Sequence, residues 1–131
     1  MGSGISCILT VDFKVSLSAM NAESIKRIVE SQIGGEWGAT NWHSVDLRRS
    51  IVAPTRIIVI ERDIRDGRIA DRTVDAWLVL VEKPETKSGY RIVASSDGSK
   101  FGLATEGFPE DKHLVLCCGW DGDFMTTFLG M

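Results

Sequence analysis

The stretch TRIIVIERDIRDGRIADRTVDAWLVLV, residues 55–81, contains the strongest local fold signal of the chain. Its centre is Asp66-Gly67, a dipeptide typical of two-residue β-hairpin turns, because such a turn needs positive φ at both central positions. Residues 55–64 and 69–81 flank this turn and are rich in the isoleucine and valine that strands favour. The stretch therefore predicts an antiparallel hairpin.

A two-residue turn also fixes which residues of the two strands face each other. It places Arg62 opposite Asp71 and Glu61 opposite Arg72, with one pair on each face of the hairpin. A cross-strand pair of opposite charges contributes roughly 0.2 to 1 kcal/mol to a sheet. We therefore interpret these charges as determinants of strand register and not as a site.

The same register places Asp75 opposite Ile58, on the face that also carries Trp77. Burial among apolar neighbours raises the pKa of a carboxyl group, which suits it to general acid or base catalysis. Asp75 is therefore a catalytic candidate, and no other catalytic residue is predicted. The alternative is an ion pair between Asp75 and Arg56, which lies opposite Trp77 on that face, and structural pairs of this kind are common.

The N-terminal part of the chain predicts a strand followed by a helix. Apolar and polar residues alternate over residues 5–17, which is the period of a strand. Apolar residues then recur at helical spacing from Ala22 to Ile33. Asn21 suits the N-cap of this helix, and Gly34 can adopt the left-handed conformation that ends it.

The C-terminal half predicts three further strands. Residues 90–95 and 100–105 flank Asp97-Gly98, a second turn signal of the same kind. Residues 113–118 follow as a last strand with apolar residues on both faces, as a central strand would have.

The segment LCCGWDGDFMTTFLGM, residues 116–131, combines two adjacent thiols with two nearby carboxylates. Cys117 and Cys118 point to opposite faces of the predicted last strand, so we expect both thiols to be buried and unreactive. Asp121 or Asp123 can cap a short C-terminal helix. The segment is therefore interpreted as structural and not as a metal or redox site.

These elements predict an α+β fold. We expect an antiparallel β-sheet of about six strands packed on one long N-terminal helix, with a short C-terminal helix, in a single domain over residues 1–131. A curved sheet around the helix and a partly closed barrel are both compatible with the same elements.

Composition excludes several function classes. The formal net charge is −3, whereas a nucleic-acid or anionic-membrane surface needs a concentrated basic face. The first residues lack the basic and apolar regions of a secretory signal, and no apolar run reaches membrane-spanning length. We expect a cytoplasmic protein that binds neither nucleic acid nor membranes.

Motifs for metal and cofactor binding are also missing from the sequence. The three cysteines are an odd number, which suits a reduced compartment, and the two histidines fit no zinc pattern. The sequence contains neither a nucleotide-binding loop nor a hydrolase nucleophile motif. We therefore expect no metal and no cofactor.

Four short segments of the C-terminal part resemble small uncharacterised bacterial proteins. The segments are VDAWLVLVEKP (residues 74–84), GYRIV (89–93), FGLA (101–104) and DFMTTFLGM (123–131). They consist of strand-forming runs and the terminal helix. The resemblance implies a bacterial source and no particular activity, and it assigns no catalytic residue.

The irregular segment 36–54 contains the predicted binding surface, which covers residues 36–49. It contains Trp37, Trp42 and His43, and an exposed aromatic side chain on a loop can anchor a protein interface. The leading hypothesis is a non-catalytic binding domain, of the accessory or immunity-like kind, whose partner is another protein. The alternative for the two tryptophans is a loop that folds back onto the core.

A second function class is a small-molecule-binding protein or enzyme. In that hypothesis Asp75, Trp77 and Tyr90 line an apolar pocket between the curved sheet and the helix. The partner could also be a second copy of the chain, because residues 5–17 have fewer charges than the hairpin tip to deter strand pairing.

Overall fold

The computed structural model describes residues 20–117 and 119–131, and its strands form one closed barrel. The strands are β1 (Ile51–Arg65), β2 (Arg68–Lys83), β3 (Ser88–Ser95), β4 (Phe101–Thr105) and β5 (Leu114–Leu116). Helix α1 (Ala22–Ile33) precedes them, the one-turn helix α2 (Leu47–Ser50) leads into β1, and α3 (Phe124–Leu129) follows β5. None of these helices has the length and hydropathy that crossing a lipid bilayer requires.

Strand β5 closes the barrel, because it pairs antiparallel with β4 and parallel with β1. The parallel pairing joins Val59 to Leu114 and Ile60 to Val115. It gives backbone partners to strands that would otherwise be the two edges of an open sheet. The predicted α+β fold, a six-stranded antiparallel sheet on one long helix, is therefore wrong. The barrel alternative is nearer to the structure, but the observed barrel is closed.

The predicted strand over residues 5–17 lies outside the described residues, and so does Cys118. Strand β5 is shorter than predicted and ends at Leu116, and Cys117 beyond it is exposed. The prediction that the Cys117 side chain is buried is therefore wrong. The reason is that the chain leaves regular pairing after Leu116, although the Cys117 amide still donates to the Leu103 carbonyl at 2.8 Å.

The predicted hairpin register is confirmed without a shift from the pair Thr55–Leu78 to the pair Arg65–Arg68 beside the turn. The two turn residues have positive φ, 52° at Asp66 and 75° at Gly67, as a two-residue turn requires. Across the strands, Arg62 Nε and Nη2 donate to the two carboxylate oxygens of Asp71, each at 2.8 Å. The charges thus lie where the register interpretation placed them.

The hairpin extends beyond the barrel as a two-stranded projection. In the part of the chain that the structure describes, β1 pairs with β5 no further than Ile60, and β2 begins to pair with β3 at Ala76. We call the intervening residues 61–75 the arm. At its base, the Trp120 indole donates to the Glu61 carboxylate at 2.5 Å and holds the pKa of Glu61 below its ordinary value.

Both predicted helix caps are confirmed. Asn21 Oδ1 accepts the Ser24 amide at 2.9 Å, and Asp123 Oδ1 accepts the Thr126 amide at 2.7 Å. Gly34 follows α1 with a φ of 58°, a conformation that glycine adopts without steric cost. Local signals of this kind fix where the helices begin and end.

Buried apolar side chains form two clusters. The helix-covered cluster joins α1 and α3 to one side of the strands, and its members include Ile25, Val29, Ile33, Trp77, Ile92, Phe101, Phe124 and Phe128. The strand cluster takes one buried residue from each strand, namely Val59, Ala76, Val93, Ala104 and Leu116. Strands β2, β3 and β4 therefore contribute to both clusters and connect them.

Candidate binding site

The loop before α2 is held in one conformation by the side chain of Asn41. Its Oδ1 accepts the amides of His43 at 3.0 Å and Val45 at 3.1 Å, which is the pattern of an Asx turn. Its Nδ2 donates to the Phe128 carbonyl at 3.0 Å and so ties the loop to α3. Ser44 has a φ of 56°, an uncommon conformation that these bonds stabilise.

Trp42 projects from this loop and is 91% exposed. Full exposure of a tryptophan is unusual in a folded domain, because the indole has a large apolar area that burial would stabilise. Trp37 behaves differently, since it is partly buried and packs against the helix-covered cluster. Of the two tryptophans predicted for the binding region, only Trp42 has the position of an interface anchor.

His43, the next residue, contacts Glu82 and Tyr90. His43 Nδ1 lies 3.0 Å from Glu82 Oε2, and the His43 and Tyr90 ring centroids are 5.5 Å apart. Glu82 Oε1 also accepts the Tyr90 amide at 2.9 Å. Because a carboxylate holds Nδ1, the imidazole orientation is fixed, and its Nε2 edge remains for hydrogen bonding to solvent or a partner.

Glu82 points toward this loop because β2 and β3 are irregular at this position. The register between them shifts between Val81 and Lys83, which re-aims the intervening side chain. Gly89 on β3 has a φ of 84°, and a Cβ built there would lie 2.6 Å from Glu82 Oε1. The irregular pairing and the missing side chain at Gly89 together make room for the carboxylate, which is 13% exposed.

A second ion pair lies beside the first. Arg49 on α2 pairs with Glu85, just after β2, and both pairs line a polar depression of about 250 Å³. Asp46 caps α2 by accepting the Arg48 amide at 3.0 Å. We call residues 41–49, together with Glu82, Glu85 and Tyr90, the Trp42 face.

The structure brings together some of the predicted site residues and separates others. Trp42, His43 and Tyr90 belong to the Trp42 face. Trp77 is buried in the helix-covered cluster, where its Nε1 donates to the Ser96 carbonyl at 3.2 Å. The pocket predicted from Asp75, Trp77 and Tyr90 is therefore not assembled.

Asp75 lines a different depression, of about 610 Å³, together with Arg56, Lys112 and His113. Its carboxylate lies 3.4 Å from Arg56 Nη2, and the Arg56 guanidinium lies 5.0 Å from the centre of the Trp77 ring. The side chain of Asp75 is exposed. This geometry favours the ion-pair alternative over a desolvated catalytic carboxylate.

The sequence did not predict three residues of the Trp42 face, namely Asn41, Glu82 and Glu85. Asn41 is an ordinary loop residue by composition, and its role depends on α3 arriving beside it. The signal for Glu82 was the glycine at position 89 near a strand start, which often marks a bulge or a close approach. Among the residues described, no group of three or more histidine, cysteine, aspartate or glutamate side chains could hold a metal ion.

Comparison with known proteins adds no further assignment. The chain matches no protein-family model, no curated protein sequence and no solved structure. The resemblance of the C-terminal segments to small bacterial proteins stays a prediction, and the geometry of the Trp42 face is the remaining indication of function.

Proposed function

We propose that the protein is a non-catalytic binding domain that recognises a protein partner through the Trp42 face. The observation that carries this proposal is the exposure of Trp42 on a loop that Asn41 holds in place. Tryptophan is among the residues most enriched at the energetic centres of protein interfaces. The expected setting is a reduced compartment such as the bacterial cytoplasm.

The hydrogen-bonded loop supports binding because its backbone is already ordered in the free protein. A mobile loop would lose conformational entropy on association, at about 0.5 to 1.5 kcal/mol for each side chain that becomes immobilised. The bonds that the Asn41 side chain makes to the backbone of His43, Val45 and Phe128 restrict the loop backbone before a partner arrives. Burial of the Trp42 indole is then opposed mainly by the ordering of its own side chain.

The charged residues around Trp42 suit the rim of an interface. His43 contacts Glu82 and Arg49 pairs with Glu85, so these polar side chains already have partners within the chain. Such rim pairs affect orientation and association rate more than affinity. The arrangement is that of one aromatic anchor surrounded by polar groups that are already bonded within the chain.

The small-molecule or enzyme alternative has less support. Asp75, its catalytic candidate, is exposed and paired with Arg56. The cavity of about 250 Å³ beside His43 is lined mostly by polar and charged residues and lacks the largely apolar lining that ligand pockets usually have.

The proposal can be tested by finding the partner with a cross-linker placed beside the anchor. A photoreactive amino acid at the exposed Thr40 would capture proteins that contact the loop, and the captured protein would be purified for direct binding measurements. We expect Trp42→Ala to weaken its binding by about 30-fold or more, which corresponds to roughly 2 kcal/mol. The melting temperature should change little, because the indole is exposed.

The control variant is Ile58→Ala, which removes an exposed apolar side chain from the depression that also contains Asp75. It should bind the partner as the unaltered protein does. Unchanged affinity of Trp42→Ala would overturn the proposal, as would equal losses in both variants.

A further inference from the structure

His43 lies next to Trp42, and contacts on several sides hold its imidazole ring in place. Its backbone amide donates to Asn41 Oδ1 at 3.0 Å, and the ring contacts Glu82 and Tyr90. The side chain is 36% exposed. Among the residues that the structure describes, none is hydrogen-bonded to Nε2. This nitrogen is therefore the polar atom of His43 that a partner at the Trp42 face could contact.

Glu82 determines which nitrogen of the ring carries the proton. Its Oε1 accepts the Tyr90 amide at 2.9 Å, and its Oε2 lies 3.0 Å from His43 Nδ1. A carboxylate can only accept hydrogen bonds, so Nδ1 has to donate. In a neutral imidazole the other nitrogen then has no proton, and Nε2 is an acceptor.

The other charged groups around the depression do not compete with Glu82 for the ring. Arg49 pairs with Glu85, and Asp46 caps α2. Lys83 also lines the depression. In the described part of the chain, none of these four side chains is hydrogen-bonded to the imidazole. The position of the proton therefore follows from the contact with Glu82.

We propose that Glu82 sets the His43 tautomer so that Nε2 accepts a hydrogen bond from the partner, which supplies an N–H or O–H donor beside the Trp42 contact. This inference rests on the proposed function of the Trp42 face and adds the chemistry that the partner presents there. A partner group that can only accept, such as a carboxylate, would displace water from Nε2 and return no hydrogen bond. Trp42 thus supplies apolar contact, and His43 selects among partners.

The variant Glu82→Gln should reverse the tautomer while keeping a side chain of the same shape. The Tyr90 amide can only donate, so the single side-chain oxygen of the glutamine has to face it. The glutamine NH2 group then faces His43 Nδ1, which can accept only when the ring proton is on Nε2. Nε2 changes from an acceptor into a donor, and both hydrogen bonds of residue 82 are kept.

Nitrogen NMR of the imidazole rings tests this step in the protein without a partner, at a pH where titration of the spectra shows both histidines to be neutral. We expect the proton on Nδ1 of His43 in the unaltered protein and on Nε2 in Glu82→Gln. His113, the other histidine of the chain, should give the same signals in both proteins.

A protonated Nε2 in the unaltered protein would overturn the proposal, and this measurement does not depend on the folding of a variant. The same His43 tautomer in both proteins would also overturn it, because Glu82 would then not set the tautomer. Circular dichroism would verify that Glu82→Gln is folded.

Binding of the protein captured through Thr40 tests the second step. Glu82→Gln should weaken binding by about tenfold or more, because two donors would then face each other. The matched control is Glu85→Gln, which removes the same charge from the same depression without touching the ring and should bind as the unaltered protein does.

The binding measurements separate failure of this inference from failure of the proposed function. If Trp42→Ala weakens binding and Glu82→Gln does not, the partner makes no hydrogen bond to Nε2 and the inference is overturned alone. Equal weakening by Glu82→Gln and Glu85→Gln would also overturn it, because charge and not the tautomer would be responsible. If Trp42→Ala binds normally, the proposed function itself fails.

Discussion

Glu82 shows how one side chain can connect a barrel strand to a loop that carries no regular structure. Its two oxygens are used separately, one by His43 and one by the Tyr90 amide. Losing the carboxylate would leave a partly buried backbone N–H without its acceptor and would release the imidazole. The orientation of the Trp42 face therefore depends on a residue that need not contact the partner.

We expect Glu82→Ala to destabilise the fold by about 1 to 3 kcal/mol, the usual cost of leaving a buried donor unsatisfied. Glu85→Ala is the control, because Glu85 is 52% exposed and its pair with Arg49 lies at the surface. Exposed pairs contribute little, so its effect should stay within about 0.5 kcal/mol. Urea unfolding of both variants gives the comparison, and similar losses would mean that Glu82 has no special structural role.

The sequence predicted individual residues of the Trp42 face unevenly. Trp42 and His43 could be found because they stand in a segment without periodicity, where an aromatic side chain has no strand or helix face to occupy. Glu82 had only the indirect signal of Gly89, because the direction of its side chain depends on a shift in pairing with another strand. A pattern of alternating residues predicts regular strand pairing. It indicates a bulge only where a glycine such as Gly89 interrupts the pattern.

At the scale of elements, the hairpin was predictable and the arm was not. The turn at Asp66-Gly67 fixes register through local backbone conformation, so every pair beside it follows. The length of the projection depends on where β5 and β3 stop pairing with the hairpin. The ends of that pairing depend on the distant segments that form β3 and β5, so the hairpin sequence alone does not predict the length of the arm.

The loop between β4 and β5 is attached to the arm through Asp111. Its Oδ2 accepts the Phe108 amide at 2.7 Å as well as a bond from Arg62. Hydrogen bonds from Arg62 hold the pKa values of Asp71 and Asp111 below their ordinary range. One guanidinium thus joins two strands and a loop.

This arrangement predicts a specific acid sensitivity. A carboxyl group whose pKa is lower in the folded than in the unfolded state stabilises the fold above the unfolded pKa, near 3.9 for aspartate. That contribution disappears as pH falls through the lower, folded-state pKa. We therefore expect the urea midpoint to fall between about pH 4 and pH 2, and the fall to be shallower in the double variant Asp71→Asn, Asp111→Asn.

The control for this prediction is Asp63→Asn, elsewhere on the arm, where the carboxylate pairs with the exposed Arg65. Its acid profile should run parallel to that of the unaltered protein. If the double variant also ran parallel, the Arg62 network would not contribute to the pH dependence.

At the scale of the whole molecule, the decisive contact is the parallel pairing of β1 with β5. It joins Val59 and Ile60 to residues more than fifty positions later in the chain. Period-two patterns and turn signals describe neighbouring strands, so they predicted consecutive hairpins and an open sheet. Whether a sheet closes depends on accumulated twist and on which distant strand arrives at its edge, and the sequence pattern contains neither.

The two buried clusters should unfold together, because β2, β3 and β4 carry residues of both. Phe124→Ala would open a cavity in the helix-covered cluster and Leu116→Ala one in the strand cluster. Each should cost about 2 to 5 kcal/mol, the range for large buried apolar side chains. Because the strands are shared, each loss should lower the stability of the entire barrel and not of one layer.

Fluorine NMR of protein labelled with 5-fluorotryptophan can follow both clusters in one urea titration. Trp77 reports on the helix-covered cluster and Trp120 on the strand cluster. We expect the two native signals to vanish at the same urea concentration in the unaltered protein, and at a lower but still common concentration in each variant. In Phe124→Ala, loss of the Trp77 signal before that of Trp120 would show that the helices form a separately melting layer, and the shared strands would then not couple the two clusters.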